Sequence, residues 1–272
     1  MRLFARLHEA LISDDVSLKA RVIDDALEYC NTANEEDLDF LPERFETPSY
    51  AQRCRIVPPR ELPKRRKLHT REGLAILLHS ILHIEYSAID LALDAVYRFP
   101  RMPREYRIDW LEVAAEEVRH FRMLEGILEK LGYGYGDFPV HRGLFDASMH
   151  TAADVLDRMA VIPRHYEATG LDVNPQIMHK LSAHRGEPYV AEVLDALEII
   201  YREEIDHVRK GDRWFRSICR ERGLEEEETF AQILERFSLG GRQGRVLNVE
   251  ARKEAGFRCN ELLRLGAHEC RD

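Results

Sequence analysis

The sequence predicts an all-α protein built around a four-helix bundle. Four long segments show the apolar spacing of amphipathic helices, and no series of alternating strand-like segments is seen. Of the 272 residues, 44% are hydrophobic, which is enough for a sizeable core. A further 33% are charged, a proportion that suits exposed helix faces.

Helix-breaking residues bound the four predicted bundle helices. The helices cover residues 71–97, 103–131, 151–169 and 188–222, and glycines follow the second, third and fourth. A long segment, beginning with the glycine-rich residues 132–137, joins the second helix to the third. Such a connection predicts a bundle with a crossover.

The predicted helices and the breaks between them divide the chain into three regions. Residues 1–66 form peripheral N-terminal helices and a loop, residues 67–223 form the bundle, and residues 224–272 form a helical tail that packs on the bundle. The N-terminal region ends in a basic run, Lys64 to Lys67, for which a solvated loop is favoured over a phosphate-binding role.

Charge and cysteine usage narrow the function classes. The formal net charge of -9 argues against a general nucleic-acid binder. The five cysteines include no Cys-x-x-Cys pair, which predicts reduced thiols rather than a disulfide framework or a zinc site. No signal peptide is seen, and no apolar run approaches the ~20 residues that span a bilayer. We therefore expect a cytoplasmic protein with no membrane partner.

The chain contains two Glu-x-x-His tetrads, Glu117–His120 and Glu204–His207. With 12 histidines in the chain, about one such tetrad would arise by chance, so their position matters more than their presence. Both tetrads lie on the apolar stripes of the second and fourth predicted helices. The neighbouring Glu116 and Glu203 lie about 100° around their helices and are the less favoured ligands.

The other two predicted bundle helices each add one core-facing glutamate, Glu85 and Glu167. Four carboxylates in one apolar core would repel one another unless some took up protons. Two divalent cations would cancel the four charges, with two neutral imidazoles completing the shells. This ligand set is the known arrangement of di-iron and di-manganese carboxylate proteins. The predicted ligands are Glu85, Glu117, His120, Glu167, Glu204 and His207.

The chain also resembles an uncharacterised bacterial family of ferritin-like proteins known only as a domain of unknown function. The segments that carry this resemblance are residues 79–90, 109–121, 135–139, 160–172, 203–208 and 248–257. The resemblance implies a ferritin-like fold with the same six ligands, and no settled reaction. A more distant likeness to the tRNA hydroxylase MiaE covers the bundle and its ligands only, so an RNA substrate is an analogy.

Together these observations predict a di-iron oxidoreductase that activates dioxygen or peroxide and hydroxylates an unidentified small molecule or RNA. Glu117 and Glu204 would bridge the ions, Glu85 and Glu167 would be terminal ligands, and each histidine would bind one ion. Two iron ions are favoured, with manganese or a mixed pair as alternatives. The sequence does not identify the electron donor, and a homodimer is possible. Iron storage or detoxification, and a metal-stabilised scaffold without activity, are the competing functions.

Several residues near the predicted ligands are expected to have other roles. Helical phase argues against His83 as a ligand, while Tyr86 and Asp206 are candidates to contact a metal-bound histidine. For the loop of residues 133–146, which contains Asp137, His141 and Asp146, a hydrogen-bonding role is favoured over a second metal site, and covering the end of the bundle is the alternative. The segment of residues 248–257 is expected to pack against the bundle rather than to contact substrate.

Overall fold

The computed structural model describes residues 3–32, 40–239 and 246–271, and within these ranges the regular structure is helical with no strand. The all-α prediction is confirmed. The helices are α1 (Leu3–Ile12), α2 (Val16–Thr32), α3 (Arg71–Arg98), α4 (Arg104–Lys130), α5 (Gly143–His150), α6 (Val155–Val161), α7 (Ala168–Ser182), α8 (Val190–Arg222), α9 (Glu226–Arg236), α10 (Val249–Glu254) and α11 (Cys259–Arg264). A π-helical segment, Ile162–Glu167, joins α6 to α7.

The chain divides into two compact units. Unit 1 comprises residues 1–150 and 181–196, and unit 2 comprises residues 151–180 and 197–272. The predicted division into regions 1–66, 67–223 and 224–272 stays a prediction.

A helical hairpin of α3 and α4 forms the centre of unit 1. Residues 99–103 join the two helices, and the Arg71 side chain at the start of α3 donates to the Leu131 carbonyl at the end of α4. The helices therefore run antiparallel. The Thr70 hydroxyl accepts from the Gly73 amide at 3.1 Å and so caps the first turn of α3.

Helix α3, with 28 residues, combines length with a strongly apolar composition. It is long and apolar enough to cross a membrane, but 78% of its most apolar window is buried inside the protein. This burial is typical of a core helix in a soluble protein. The cytoplasmic location stays a prediction.

The N-terminal helices of unit 1 are docked through a buried lysine. Lys19 of α2 is fully buried, and its Nζ lies 2.6 Å from Asp90 Oδ1 of α3 and 2.7 Å from the Ala10 carbonyl of α1. A buried ammonium requires such partners. The ion pair therefore fixes α1 and α2 on the central hairpin.

One nearly continuous helix runs from Val155 to Ser182, and its residues up to 180 belong to unit 2. The predicted end of this helix at Gly170 is wrong, because the helix continues through Gly170 and Pro175. An interior glycine costs a helix only about 1 kcal/mol, which tertiary packing outweighs. Helix α5, within residues 143–150, was not expected either.

The π-helical segment lies where Pro163 interrupts the helical hydrogen bonds. Proline has no N–H and its ring clashes with the carbonyl four residues earlier, so a wider turn relieves both problems. The close neighbour is Gly211 of α8, where an added Cβ would lie 2.2 Å from Pro163 Cβ. A glycine at 211 thus allows α8 to pack directly on the π-helical turn.

The C-terminal tail differs from its prediction in two ways. The helix expected over residues 248–265 is two helices, α10 and α11, separated at Gly256, where φ is +105°. The expectation of five reduced cysteines is wrong for one pair, because a disulfide joins Cys259 to Cys270, with their Cα atoms 5.3 Å apart. The other three cysteines, Cys30, Cys54 and Cys219, are buried and take no part in a disulfide.

Candidate metal centre

Unit 1 brings three of the predicted ligands together in its core. Glu85 of α3 is 4% exposed, and Glu117 and His120 of α4 are fully buried. His120 Nδ1 lies 3.2 Å from Glu85 Oε2 and 3.3 Å from Glu117 Oε2. Each of the three residues offers a donor atom within 4.8 Å of the others. Two carboxylates and an imidazole therefore converge on one small volume.

Burial and the closeness of the charges shift the pKa values of Glu85 and His120. Burial, and then the charge of Glu117, raise the pKa of Glu85 to about 7. Burial alone would lower the pKa of His120, but hydrogen bonds and the charges of Glu117 and Glu85 outweigh it and raise the pKa to about 12. In the metal-free protein a proton on His120 thus supplies the positive charge that the two carboxylates require.

Unit 2 carries the other three predicted ligands. Glu204 and His207 lie one turn apart on α8, with Glu204 Oε1 3.9 Å from His207 Nδ1. His207 is fully buried, while the Glu204 side chain is 15% exposed. Glu167 is half-buried and is the last residue of the π-helical segment. This set repeats the composition of the unit 1 cluster: two glutamates and one histidine.

Burial tests the helical-phase argument for the choice of glutamates. In α4, Glu117 is fully buried while Glu116 is half-buried and Arg119 is exposed, as the phase indicates. In α8, Glu203 and Glu204 are both half-buried, so burial does not separate them. The preference for Glu204 depends on its spacing to His207.

The comparisons with known proteins agree with the resemblance at the level of family. Residues 12–263 match the family described as "Protein of unknown function (DUF455)". The chain belongs to the DUF455 family. It is 38% identical over 234 residues to an uncharacterised protein of Haemophilus influenzae, a match that covers 84% of this chain and 79% of that protein. No solved structure matches.

The other histidines near Glu85 in this DUF455 protein hold a loop rather than a metal. His83 Nδ1 lies 2.9 Å from the Tyr135 hydroxyl and its Nε2 lies 2.8 Å from the His141 carbonyl. His79 Nε2 accepts from the Gly136 amide at 2.9 Å. Both ring nitrogens of His83 are engaged, so the hydrogen-bonding role expected for the loop of residues 133–146 fits these contacts.

The two residues considered as partners of a ligating histidine have other contacts. The Tyr86 hydroxyl lies 3.0 Å from Ser49 Oγ. Asp206 pairs with Arg209 at 2.9 Å and with Lys210 at 3.5 Å on the surface of α8. Neither contact orients His120 or His207.

Sequence reasoning missed the buried arginine next to the unit 2 ligands. Arg164, three residues before Glu167, is fully buried; its Nη2 donates to Glu261 Oε1 at 2.6 Å and its Nε lies 2.9 Å from Asp212 Oδ1. Pro163 inside a helical pattern was a signal for an irregular turn here. No local signal marks Arg164 as buried, because its partners lie far away in sequence.

Proposed function

We propose that this protein binds two transition-metal ions, one for each set of two glutamates and one histidine, and acts as a di-iron oxidoreductase. The observation that carries the proposal is the buried convergence of Glu85, Glu117 and His120 in unit 1. Glu167, Glu204 and His207 supply donors of the same kind.

The donor chemistry fits a first-row divalent cation. Mixed carboxylate and imidazole donors suit iron or manganese. Within the unit 1 cluster, the charges of Glu85 and Glu117 balance one divalent ion when His120 is neutral. The second set has the same formal balance. A metal ion would therefore offset the burial and the charge of Glu117, which together raise the pKa of Glu85.

The side chains of this chain would hold the ions and keep bulk water away. Burial of Glu117 and His120 places the donors in a region of low polarity, where charge interactions are strong. When bound, the ions would supply the capacity to activate dioxygen or peroxide for oxidation of an organic molecule. The proposed substrate is a small organic molecule or, by analogy with MiaE, an RNA.

We expect the purified protein to bind about two ferrous ions per chain without oxygen and to oxidise them on mixing with dioxygen. Anaerobic titration and metal analysis measure the stoichiometry, and optical spectra recorded after mixing follow the oxidation. Product analysis with candidate small molecules and tRNA then tests for substrate oxidation.

The alternatives give different results in the same experiment. Iron accumulation far above two ions per chain would indicate storage or detoxification. Bound metal that stays reduced in air would indicate a scaffold. A folded protein that takes up no ferrous ion would refute the proposal altogether.

We also expect metal stabilisation to grow with pH. In the metal-free native state, Glu85 keeps a proton up to a pKa of about 7 and His120 up to about 12, whereas the unfolded chain releases them near the ordinary values of 4.5 and 6.5. The native protein therefore binds more protons than the unfolded chain. The free energy of unfolding of the metal-free protein should fall between pH 4.5 and about 7, where Glu85 loses its contribution, and the contribution of His120 should decline above pH 6.5. A metal must displace these protons, so its affinity increases with pH.

The measurement is the Tm of metal-free and Mn²⁺-loaded protein at pH 5.5, 6.5 and 7.5. At free Mn²⁺ about a hundredfold above Kd, the stabilisation should reach ~2.7 kcal/mol, and it should shrink as pH falls at fixed Mn²⁺. Release of protons on metal addition, followed with an indicator dye, checks the same linkage. An increment in Tm that does not change with pH would argue against ligation by this cluster.

A further inference from the structure

A cleft of about 510 Å³ opens in unit 1 beside the first half of α3. Its volume lies in the range of sites for small organic ligands, roughly 300–1,000 Å³. Basic residues line part of it, namely Arg60, Lys64, Arg65 and Arg66. Its apolar wall includes Ile76 and Phe138. None of the six proposed metal ligands lines the cleft.

The walls of the cleft are held in place by backbone contacts. The Val57 amide donates to the Val140 carbonyl at 2.8 Å, and the Val140 amide donates to the Arg55 carbonyl at 2.9 Å, which ties the two walls together. The basic segment rests on the start of α3, where a Cβ on Gly73 would lie 2.5 Å from the Arg66 carbonyl oxygen. Prolines on both sides of Arg60 stiffen the wall further. The cleft is thus largely preformed, which lowers the entropic cost of binding.

Three of the four basic side chains of the cleft lack acidic neighbours, while Arg60 lies 3.8 Å from Glu61. Within residues 3–32, 40–239 and 246–271, no carboxylate lies within ion-pair distance of Lys64, Arg65 or Arg66. Such a concentration of positive charge stands out in a chain with a formal net charge of -9. Burial lowers the pKa of His79 to about 4, so this residue is neutral at pH 7 and adds no charge to the cleft. Lys64, Arg65 and Arg66 are therefore the groups available to an anion.

The apolar wall offers a surface for a flat molecule. Helix α3 is buried on most sides, but Ile76 and Ser80, one turn apart, are only half-buried and line the cleft. The half-buried Phe138 ring lies 5.4 Å from the His79 ring and 5.2 Å from the Tyr133 ring, measured between centroids. These contacts restrict Phe138 and leave part of its ring accessible to a ligand.

We propose that this cleft binds an organic phosphate with a planar body, of about the size of a mononucleotide. The arginines would hold the phosphate, since guanidinium groups bind phosphate oxygens in pairs. The planar body would lie against Phe138 and the neighbouring prolines. The site is independent of the metal centre.

The test is calorimetric titration of the full-length protein with AMP as the probe, in the presence of EDTA so that phosphate cannot bind through a metal. We expect a Kd for AMP below about 1 mM, with adenosine and inorganic phosphate each at least tenfold weaker. The double variant Arg65→Ala/Arg66→Ala should weaken AMP binding at least tenfold. Phe138→Ala should weaken AMP binding and leave phosphate binding unchanged.

A matched control removes the same charge elsewhere, with Arg202→Ala/Arg209→Ala on exposed positions of α8. This control should bind AMP as the wild type does. The proposal is overturned if AMP, GMP, CMP and UMP all fail to bind below about 1 mM, or if both double variants lose affinity equally. Binding of single-stranded RNA without binding of any mononucleotide would also overturn it, because it would indicate a general surface contact for nucleic acid.

Discussion

Glu117→Gln is expected to weaken metal binding at least tenfold, while Glu116→Gln leaves it unchanged. Glu117 is fully buried and lies 3.3 Å from His120 Nδ1, whereas Glu116 is half-buried on the neighbouring face of α4. Glutamine keeps the shape of the side chain but removes the charge that balances a cation. Loss of groups that merely orient a ligand costs about 10–100-fold in metal affinity, so loss of a ligand should cost at least as much.

The comparison is made at fixed free Mn²⁺, with metal content measured after rapid separation of bound from free ion. Both variants change one carboxylate to an amide on the same helix, so an effect of net charge alone would appear in both. The metal-free Tm of each variant shows whether it is folded. Equal loss of metal from the two variants would mean that the wrong face of α4 was chosen.

The sequence predicted those features of the site that depend on the spacing of residues along one helix. Helical phase indicated that Glu85, Glu117 and His120 face a common core, and the structure places them side by side; their binding of metal stays a prediction. The same reasoning did not find the helix through Gly170, because glycine propensity is a weak signal against tertiary packing. The sequence pattern also favoured a solvated loop for residues 64–67, because the cleft depends on contacts with distant segments such as residues 138–139.

The largest stability effect we expect comes from Arg164→Met, because the arginine is the centre of a buried charge network in unit 2. Its guanidinium carbon lies 4.2 to 4.8 Å from the ring centroids of Phe215, Phe230 and Phe257. The Arg164 guanidinium also pairs with Glu261 of α11 at 2.6 Å and with Asp212 of α8 at 2.9 Å. Such a guanidinium joins four separate segments of the unit through polar and cation–π contacts.

Methionine would fill much of the volume but leave Glu261 and Asp212 with Arg216 alone as a buried cationic partner. Removal of one member of a buried ion pair typically costs about 3–5 kcal/mol, because the remaining charge is not compensated. For a chain of this length we expect the Tm to fall by roughly 6–20 °C. Thermal unfolding followed by circular dichroism measures the change.

The cost of Arg164→Met should also depend on pH. Burial alone would raise the pKa of Glu261, but the charges of Arg164 and Arg216 and hydrogen bonds outweigh it and hold the pKa below its ordinary value. The stabilisation from this charged carboxylate is therefore present above pH 4.5 and is lost as pH falls through the lower native pKa. The variant loses this stabilisation by the charged carboxylate. Its free energy of unfolding should therefore lie further below that of the wild type at pH 7 than at pH 4.

Arg209→Met is the matched control, since Arg209 forms a 2.9 Å pair with Asp206 in which both side chains are 46% exposed. Exposed pairs contribute about 0–1 kcal/mol, so this variant should unfold within a few degrees of the wild type and show little change between pH 4 and pH 7. A deficit for Arg164→Met no larger than that of the control would mean that the network adds no net stability. In that case apolar packing by the three phenylalanines, which methionine preserves, would account for the stability of this part of the core.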